Sequence, residues 1–570
     1  LLQVEGEIVL DAELTGDDLL QLDPTASVTL NGGTLTLSNE TDEVFTDLNL
    51  GANGFVEVPA GNSLTLTGDL DNQNTGQGLK LLAAADGTYG QLLTEGTVTN
   101  KGTTYAEQYL TASANEGWRQ LSSPVATTLS EIDDDFQSYY PAVGAINSTG
   151  TVGNSAQWNI KSWDASPVTP GSDATASGWE EAADNEVVFG PANNAKAYNL
   201  YVGGAFDIFN AGLLDVEGEV GNGTYTFDVF ATTAGAVPGV NNTGWNLIPN
   251  PYPSNIDVGQ LLRDPGFDLA YQAVHIWDGK TAQYLAITED VAVVFGNEFD
   301  TTYNVAPFQA FWVKGSSTPS NTAAAGEDIV LSNTVRTIKA KGNYFKTAPE
   351  FIRLNATAVN GDVDQTILTF NGGATDNLED RDAFKVRSLD EGKPSLFTSV
   401  EGKEISINRM AMPGPDKHVP MFFEQKDKRE FTIDMVEATV NPSWMIELED
   451  HKTGAIENLR ESGYTFKNDP SFVGNRFTVH IDRTGKKIAN SNSGNVNIYG
   501  NEEGLNVTFA NFGEKQAMAN VLITNLAGQI YFDGKVQTNQ PFVFPVSGAT
   551  AMYIVHVTVG AQTEVGKVVK

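Results

Sequence analysis

The stretch NVNIYGNEEGLNVTFANF (residues 495–512) decides the fold of the chain, together with VLITNLAGQIYFDGKV (521–536) and AMYIVHVTVGAQTEVGKVVK (551–570), which follow it. Apolar residues alternate with polar ones in each segment, and Gly and Asn interrupt the alternation. This two-residue period with polar breaks is typical of short, half-buried strands. We therefore predict six or seven short strands in a small antiparallel β-sandwich at this end of the chain.

These segments resemble the C-terminal sorting domain of the type IX secretion system of Bacteroidota, in its type A-like form. In that family a strand that ends in an NLxG-like turn precedes a YIV strand and a terminal Lys-Val-Val. The residues that carry the resemblance to this sorting signal are Asn525, Gly528, Tyr553, Ile554, Val555, Lys567, Val568 and Val569. The resemblance implies that the type IX secretion machinery recognises residues 491–570 and exports the preceding chain to the cell surface. A generic terminal sandwich domain is the alternative.

The composition of the 570-residue chain narrows the class of protein. Cysteine is absent, which excludes disulfides, Cys-ligated zinc and thiol catalysis. Long helical patterns are almost missing and Gly is frequent, so an all-β protein is predicted. No apolar run approaches the ~18 residues of a membrane-spanning helix. Because Leu1 already lies in strand-like sequence, we expect it to follow a removed export signal or an internal cut.

Charge is distributed unevenly along the chain. The net charge is −38. Residues 1–340 hold 43 acidic and 10 basic side chains, whereas residues 341–570 hold 29 and 24. Such acidity opposes binding to nucleic acid, whose phosphates need Lys and Arg. It suits a solvated surface or the binding of divalent cations.

Residues 1–110 repeat one theme, in which an alternating strand is followed by a Gly or Asn corner and an LTL segment. The LTL at Leu35–Leu37 returns 29 residues later at Leu64–Leu66. A short repeat of this kind predicts a β-solenoid-like segment, whose coils share one buried stripe. A plain sandwich is the alternative.

An internal duplication follows. GWRQLSSPVATTLSEI begins at Gly117 and GWNLIPNPYPSNIDV begins at Gly244. In each, a Trp enters a strand, a Pro-containing turn follows, and a Trp-Asp pair comes later. We therefore predict two related β-sandwich units, residues 111–243 and 244–345, or one sandwich built from two homologous halves. The pattern resembles modules found upstream of type IX sorting domains. The structural-motif residues are Trp118, Pro124, Trp245, Pro249, Pro251 and Trp277.

The tryptophans of the duplication permit two interpretations. Aromatic faces stack on sugar rings, so Trp158, Trp163 and Trp179 could line a glycan-binding cleft beside paired carboxylates. Alternatively the tryptophans are core anchors that fix Pro-rich corners.

Residues 346–490 alternate in the same way and predict a further antiparallel sandwich of jelly-roll or Ig-like type. This domain resembles the same architecture through Asp382, Ala383 and Lys385 and through the turn at Asp450.

Motifs for chemistry are scarce. The five histidines lack metal-binding spacing, and no catalytic signature appears. We therefore predict that the chain is not an enzyme and needs no cofactor. Calcium is the one inorganic candidate, at Asp133, Asp134 and Asp135 or in the loop with Asp69 and Asp71, because hard cations prefer several oxygens from one loop. A solvated acidic turn is the alternative.

Together these features predict a non-enzymatic extracellular protein, exported by type IX secretion, that acts as an adhesin or as a structural component of a surface appendage or filament. Its expected partners are the secretion machinery, further copies of itself and a surface glycan. The competing hypothesis is a secreted carbohydrate-binding or polysaccharide-degrading protein.

Overall fold

A computed structural model gives the structure of the chain, which divides into two compact units, Leu1–Thr347 and Ala348–Lys570. The residues that it describes are 2–4, 7–10, 20–22, 27–37, 42–110, 118–129, 131–132, 150–152, 155–157, 160–163, 179–181, 188–191, 196–201, 212–229, 244–279, 281–290, 304–315, 328–338, 350–388, 390, 392–414, 417–472, 474–485, 495–501, 504–510, 518–525, 528–538, 542–546, 552–559 and 562–569.

The chain is almost wholly β, as predicted. Helix in the described part is confined to short turns such as α1 (Val258–Leu261). The Asp257 side chain caps α1 by accepting a hydrogen bond from the backbone N–H of Gln260. Among the described residues, no helix has the length and hydropathy that a membrane crossing requires.

The first unit begins with strands that pair mainly in parallel. They are β1 (Leu2–Val4), β2 (Glu7–Leu10), β3 (Leu20–Leu22), β4 (Ser27–Thr36), β5 (Asp42–Phe45), β6 (Leu48–Val58), β7 (Ser63–Leu66), β8 (Leu70–Asn72), β9 (Leu79–Leu81), β10 (Gln91–Thr94), β11 (Val98–Thr99) and β12 (Thr104–Leu110).

A column of apolar residues runs through these parallel strands. Val28, Leu48, Leu70 and Val98 lie opposite one another in β4, β6, β8 and β11. The first three are buried and Val98 packs against the same core. Parallel ladders of this kind are the pairing that stacked coils require, although the β-solenoid itself stays a prediction.

The register of the stack differs from the repeat seen in the sequence. Leu35 lies opposite Val56, whereas Leu64 lies opposite Glu43 and Leu92. The two LTL segments therefore belong to different ladders, and their 29-residue spacing is not the register between neighbouring strands. The pattern LTL recurs because any half-buried strand favours it, so letter similarity does not fix register.

The rest of the first unit holds mainly antiparallel strands. They are β13 (Trp118–Leu121), β14 (Val125–Thr128), β15 (Gly150–Val152), β16 (Ser155–Gln157), β17 (Ile160–Trp163), β18 (Trp179–Glu181), β19 (Val188–Phe189), β20 (Tyr198–Tyr201), β21 (Gly212–Val220), β22 (Tyr225–Asp228), β23 (Trp245–Pro249), β24 (Asn255–Asp257), β25 (Ala273–Asp278), β26 (Gln283–Thr288), β27 (Asn304–Val305), β28 (Ala310–Lys314), β29 (Asp328–Leu331) and β30 (Arg336–Thr337).

Two four-stranded sheets in this region share one strand order. The first runs β13-β20-β17-β18 and the second runs β23-β28-β25-β26. In both, the strand with the first Trp pairs with the last strand of its segment, which pairs with the strand of the Trp-Asp motif. We call these sheets the first and the second twin sheet.

Arg336 covers the open edge of β10, which has β7 on its other side. Its guanidinium donates to the carbonyl of Leu92 at 2.9 Å, to that of Thr94 at 3.1 Å and to Ser254 Oγ at 2.9 Å. It also lies 4.8 Å above the Tyr252 ring. Burial lowers the pKa of Arg336 to about 10, so it stays cationic at neutral pH. The side chain thus satisfies edge carbonyls that would otherwise remain unpaired inside the protein.

The second unit begins with an 11-stranded sheet in the order β39-β38-β41-β36-β34-β35-β32-β31-β37-β40, with β33 on β35. Its strands are β31 (Glu350–Ala358), β32 (Val363–Asn371), β33 (Ala383–Phe384), β34 (Ser395–Val400), β35 (Lys403–Ala411), β36 (Lys417–Glu424), β37 (Glu430–Ala438), β38 (Met445–Asp450), β39 (Ala455–Asn458), β40 (Tyr464–Lys467) and β41 (Phe477–Asp482). Phe431, Phe466 and Phe477 are among the buried aromatic residues of its core.

The chain ends in two smaller antiparallel sheets around one core, which confirms the predicted fold class for this region. Their strands are β42 (Asn495–Asn501), β43 (Gly504–Ala510), β44 (Met518–Asn525), β45 (Ile530–Gln537), β46 (Phe542–Phe544), β47 (Met552–Val559) and β48 (Gln562–Val569). The orders are β42-β43-β46 and β45-β44-β47-β48.

Candidate ligand-binding pocket

The twin sheets hold each other by a reciprocal pair of hydrogen bonds. Trp163 Nε1 donates to the carbonyl of Trp245 at 2.7 Å, and Trp277 Nε1 donates to the carbonyl of Trp118 at 2.9 Å. The Trp of each Trp-Asp motif therefore binds the first Trp of the other sheet. An indole N–H buried in this way needs an acceptor, which explains why both copies keep the pair.

The tryptophans serve as packing anchors between the sheets. Trp245 and Trp277 are buried, whereas Trp118 and Trp163 are half-buried. Trp163 packs edge-on against Trp312 with ring centroids 4.7 Å apart. Trp163 thus takes part in an internal contact rather than in an open aromatic row. Trp158 and the side chain of Trp179 lie outside the described residues.

The three prolines of the duplicated motifs lie inside the protein. Pro124, Pro249 and Pro251 are all buried. Asn250 lies between the last two and donates through Nδ2 to the carbonyl of Ser254 at 2.9 Å and to that of Val305 at 3.0 Å. Its Oδ1 accepts from the N–H of Tyr252 at 3.0 Å. Asn250 is not among the residues predicted from the sequence, although its place within NPYPS was the available signal.

A cavity of about 360 Å³ opens where three segments of the first unit meet. They are the end of β12, the strand β13 with its Arg119 and Gln120, and the end of β25, and a loop at residues 304–309 closes the cavity. The wall combines aromatic rings with amides and one acid, and its main side chains are Gln108, Tyr109, Arg119, Gln120, Trp277 and Asp278. The volume lies in the range typical of small-molecule sites.

Two amides in the wall have buried oxygens. Gln120 is 4% exposed and donates through Nε2 to Tyr284 Oη at 2.8 Å, while its Oε1 has no protein partner among the described residues. Gln108 donates through Nε2 to the carbonyl of Tyr109 at 3.3 Å, and its Oε1 is likewise without a partner there. A buried acceptor left in this state costs about 1–3 kcal/mol.

Two charged side chains, Arg119 and Asp278, also line the cavity. Arg119 Nη1 donates to the Trp118 carbonyl at 2.9 Å, and Asp278 Oδ2 accepts from Thr281 Oγ1 at 2.6 Å. A Cβ at Gly279 would lie 2.7 Å from Arg119 Nη1, so the glycine leaves room for the guanidinium. Asp278 is the one carboxylate among the lining residues.

The closing loop holds an aromatic residue in a strained conformation. Phe308 has φ of 64°, in the left-handed region that non-glycine residues seldom adopt. Its carbonyl accepts from the N–H of Ser122 at 3.0 Å, and Gln309 Oε1 accepts from the N–H of Ala306 at 3.0 Å. Strain of this kind clusters at binding sites, where the surrounding structure maintains it.

The twin sheets differ at the positions that face this pocket. Their ladders pair Trp118 with Tyr201 and Trp245 with Lys314. Arg119 and Gln120 therefore correspond to Asn246 and Leu247. The framework residues are repeated, but Arg119 and Gln120 of the pocket wall are not.

The predicted calcium site at Asp133, Asp134 and Asp135 lies outside the described residues. In the alternative loop, Asp69 Oδ1 accepts from the N–H of Thr97 at 2.7 Å and from its hydroxyl at 2.8 Å. These two hydrogen bonds lower the pKa of Asp69. Within the described part of the chain, no group of three or more His, Asp or Glu side chains could hold a metal ion.

The motif residues of the second unit's first domain are buried and paired. Arg476 donates to Asp450 through Nε at 3.1 Å and through Nη2 at 2.9 Å, and Tyr464 Oη donates to the same carboxylate at 2.8 Å. Lys385 Nζ lies 2.5 Å from Asp364 Oδ2. Burial raises the pKa of Asp382 to about 6. These groups stabilise turns and strand ends.

The residues that carry the resemblance to a sorting signal lie in the last sheet and in the turn after β44. Tyr553, Val555 and Val568 are buried, Ile554 is half-buried and Lys567 is exposed. In the turn, Gly528 has φ of 79° and its N–H donates to the Asn525 carbonyl at 3.0 Å. The side chain of Val569 lies outside the described residues.

Comparisons with known proteins give one extended match. A family model described as a domain of unknown function, DUF8693, matches residues 25–481. No curated protein matches the chain. Among solved structures, Tp47, the 47-kilodalton lipoprotein of Treponema pallidum, is similar at 9% identity over 38% of this chain and 86% of that one, with a TM-score of 0.11. At this TM-score the likeness carries no argument.

Proposed function

This chain belongs to the DUF8693 family, whose function is unknown, and we propose that it is a non-enzymatic adhesin that works at the cell surface. The observation that carries the proposal is the pocket, which is lined by aromatic rings, amides, one basic side chain and one acidic side chain from three separate segments. Such a wall suits recognition of a small polar group presented on another surface.

The arrangement of acids in the pocket supports binding rather than hydrolysis. Glycoside hydrolysis normally uses two carboxylates that flank the scissile bond. Among the described residues that line the pocket, Asp278 is the one carboxylate. We therefore prefer the adhesin to the polysaccharide-degrading protein.

A thermal-shift screen of the whole chain against mixed organic acids, nucleotides, dipeptides and sugars tests the pocket as a ligand site. We expect at least one class to raise the melting temperature, because a ligand that binds only the folded state stabilises it. Gln120→Leu introduces the residue of the second twin sheet and should remove the shift. The matched control Leu247→Gln makes the reverse change outside the pocket and should keep it. A screen in which no class stabilises the wild-type chain would count against the proposal.

Export by type IX secretion is the second part of the proposal. It is supported by the resemblance of residues 491–570 to the sorting domain and by the compact core of β42–β48. Fusion of this segment to a periplasmic reporter should move the reporter to the surface of a type IX-competent host. Deletion of Lys567–Val569 supplies the matched control. Reporter that stays in the periplasm with the intact segment would contradict this part.

A structural role in a filament is favoured by one further observation. The last four-stranded sheet exposes apolar side chains at Ile530, Tyr531, Met552 and Val565. Exposed apolar groups in one sheet suit contact with another protein surface. Light scattering across a concentration series tests this role, and a monodisperse monomer throughout would exclude self-assembly.

A further inference from the structure

We infer that the side chains of Lys385 and Asp364 condense into an amide, which cross-links two neighbouring segments of the second unit. Asp364 lies in β32, and Lys385 directly follows β33. Both strands lie beside β35. Lys385 belongs to the motif of Asp382 and Ala383, to which the proposed function assigns no role. The inference is therefore independent of the pocket and of export.

The pair is shielded from water to a degree that other lysine pairs do not reach. Lys385 Nζ lies 2.5 Å from Asp364 Oδ2, and each side chain is 2% exposed. Among the described residues, the next most buried pair of a lysine and a carboxylate is Lys393 with Asp362, at 10% and 14%. Two charges without water are costly, whereas an amide is neutral. Burial therefore shifts the balance from the two ions toward the amide.

The hydrogen bonds around the pair match an amide better than two ions. An ammonium has three donors, and among the described residues Asp364 is the one acceptor for Lys385 Nζ. Asp364 Oδ2 also accepts from the N–H of Leu396 at 2.6 Å, whereas Oδ1 has no hydrogen bond to a described residue. In the amide, Oδ2 becomes the carbonyl oxygen and keeps the contact with Leu396. Oδ1 is the oxygen that leaves.

The reaction balances without a further reagent. One proton passes from the ammonium to the carboxyl group, and the neutral Nζ attacks Cγ of Asp364 to form the new N–C bond. The N–H of Leu396 stabilises the negative charge that develops on Oδ2. A second proton moves from the nitrogen to Oδ1, the bond from Cγ to Oδ1 breaks, and one water leaves. Lys385 then carries a neutral amide N–H.

Intact-mass spectrometry of the purified full chain, after denaturation, tests the inference. We expect a mass ~18 Da below that of the sequence, because one water is lost. Trypsin cleaves after Arg381, so fragment spectra of the tryptic peptides should show residues 364 and 385 joined. Lys385→Met removes the amine and should restore the full mass. Lys393→Met, the matched control in the more exposed pair, should keep the loss.

The other outcomes overturn the inference. A wild-type chain with the full mass of its sequence would leave an ordinary buried ion pair. A loss of water that maps to other residues, or that persists in Lys385→Met, would do the same. If Lys385→Met does not fold, wild-type chain recovered in denaturant from inclusion bodies replaces it. This chain should have the full mass before refolding and lose ~18 Da afterwards, because only the fold brings the two groups together. An unchanged mass after refolding would contradict the cross-link.

Discussion

The two twin sheets agree in strand order and in the reciprocal Trp contacts. Their sequences differ directly after the first Trp. One copy continues with Arg119 and Gln120, and the other continues with Asn246 and Leu247. The shared residues form the framework, because a duplicated fold needs them twice. The residues found in one copy alone lie at the pocket, which is where a duplicated framework is free to acquire a new role.

The largest expected effect tests the framework. Trp245→Ala should reduce the free energy of unfolding by about 3–5 kcal/mol, because a large buried ring is lost and leaves a cavity. Trp118→Ala should cost less, since that side chain is only half-buried. Urea denaturation of both variants measures the difference. Equal losses would show that the two positions are packed alike in solution.

Arg336→Met tests the contact between Arg336 and the edge of β10. The substitution leaves the carbonyls of Leu92 and Thr94 without their donor and should cost about 3 kcal/mol. Lys80→Met is a suitable control, because Lys80 forms only a partly exposed pair with Glu57. That change should cost less than about 1 kcal/mol. Similar melting temperatures for both variants would contradict the role assigned to Arg336.

Gly279→Ala sharpens the comparison at the pocket. The added methyl would contact Arg119 and displace its guanidinium, so ligand affinity should fall several-fold with little change in stability. Calorimetry and thermal melts of the same sample separate the two effects. An unchanged affinity would show that Arg119 adapts or takes no part.

The smallest effect is expected from calcium. The run Asp133–Asp135 has no counterpart after the second Pro-rich turn. If it binds the ion, calcium should raise the melting temperature by a few degrees and EDTA should reverse the shift. Asp134→Asn supplies the control. Identical melts with calcium and EDTA would leave the run as a solvated acidic turn.

The sequence predicted the fold class because strand alternation is a local signal. It did not predict the parallel register, since Leu35 and Leu64 look alike but belong to different ladders. Register depends on which strands meet, and this is a property of the whole fold.

The pocket could not be predicted from short stretches of sequence, for a related reason. Gln108 and Gln120 belong to no motif, and they meet Trp277 only because three distant segments converge. The role of Arg336 could not be predicted either, since nothing near it in sequence shows that its side chain will be buried. Its partners at Leu92 and Thr94 lie far away along the chain.

Because these residues lie far apart in sequence, the contacts of Arg336 form late during synthesis of the chain. Leu92 leaves the ribosome 244 residues before the side chain that covers its carbonyl. At ~5–20 residues per second this interval lasts roughly 12–50 seconds. Throughout it the growing chain has an incomplete strand edge, which can recruit the wrong partner. We expect the nascent chain to depend on a holding chaperone during that window, and its dependence should end once Arg336 has emerged.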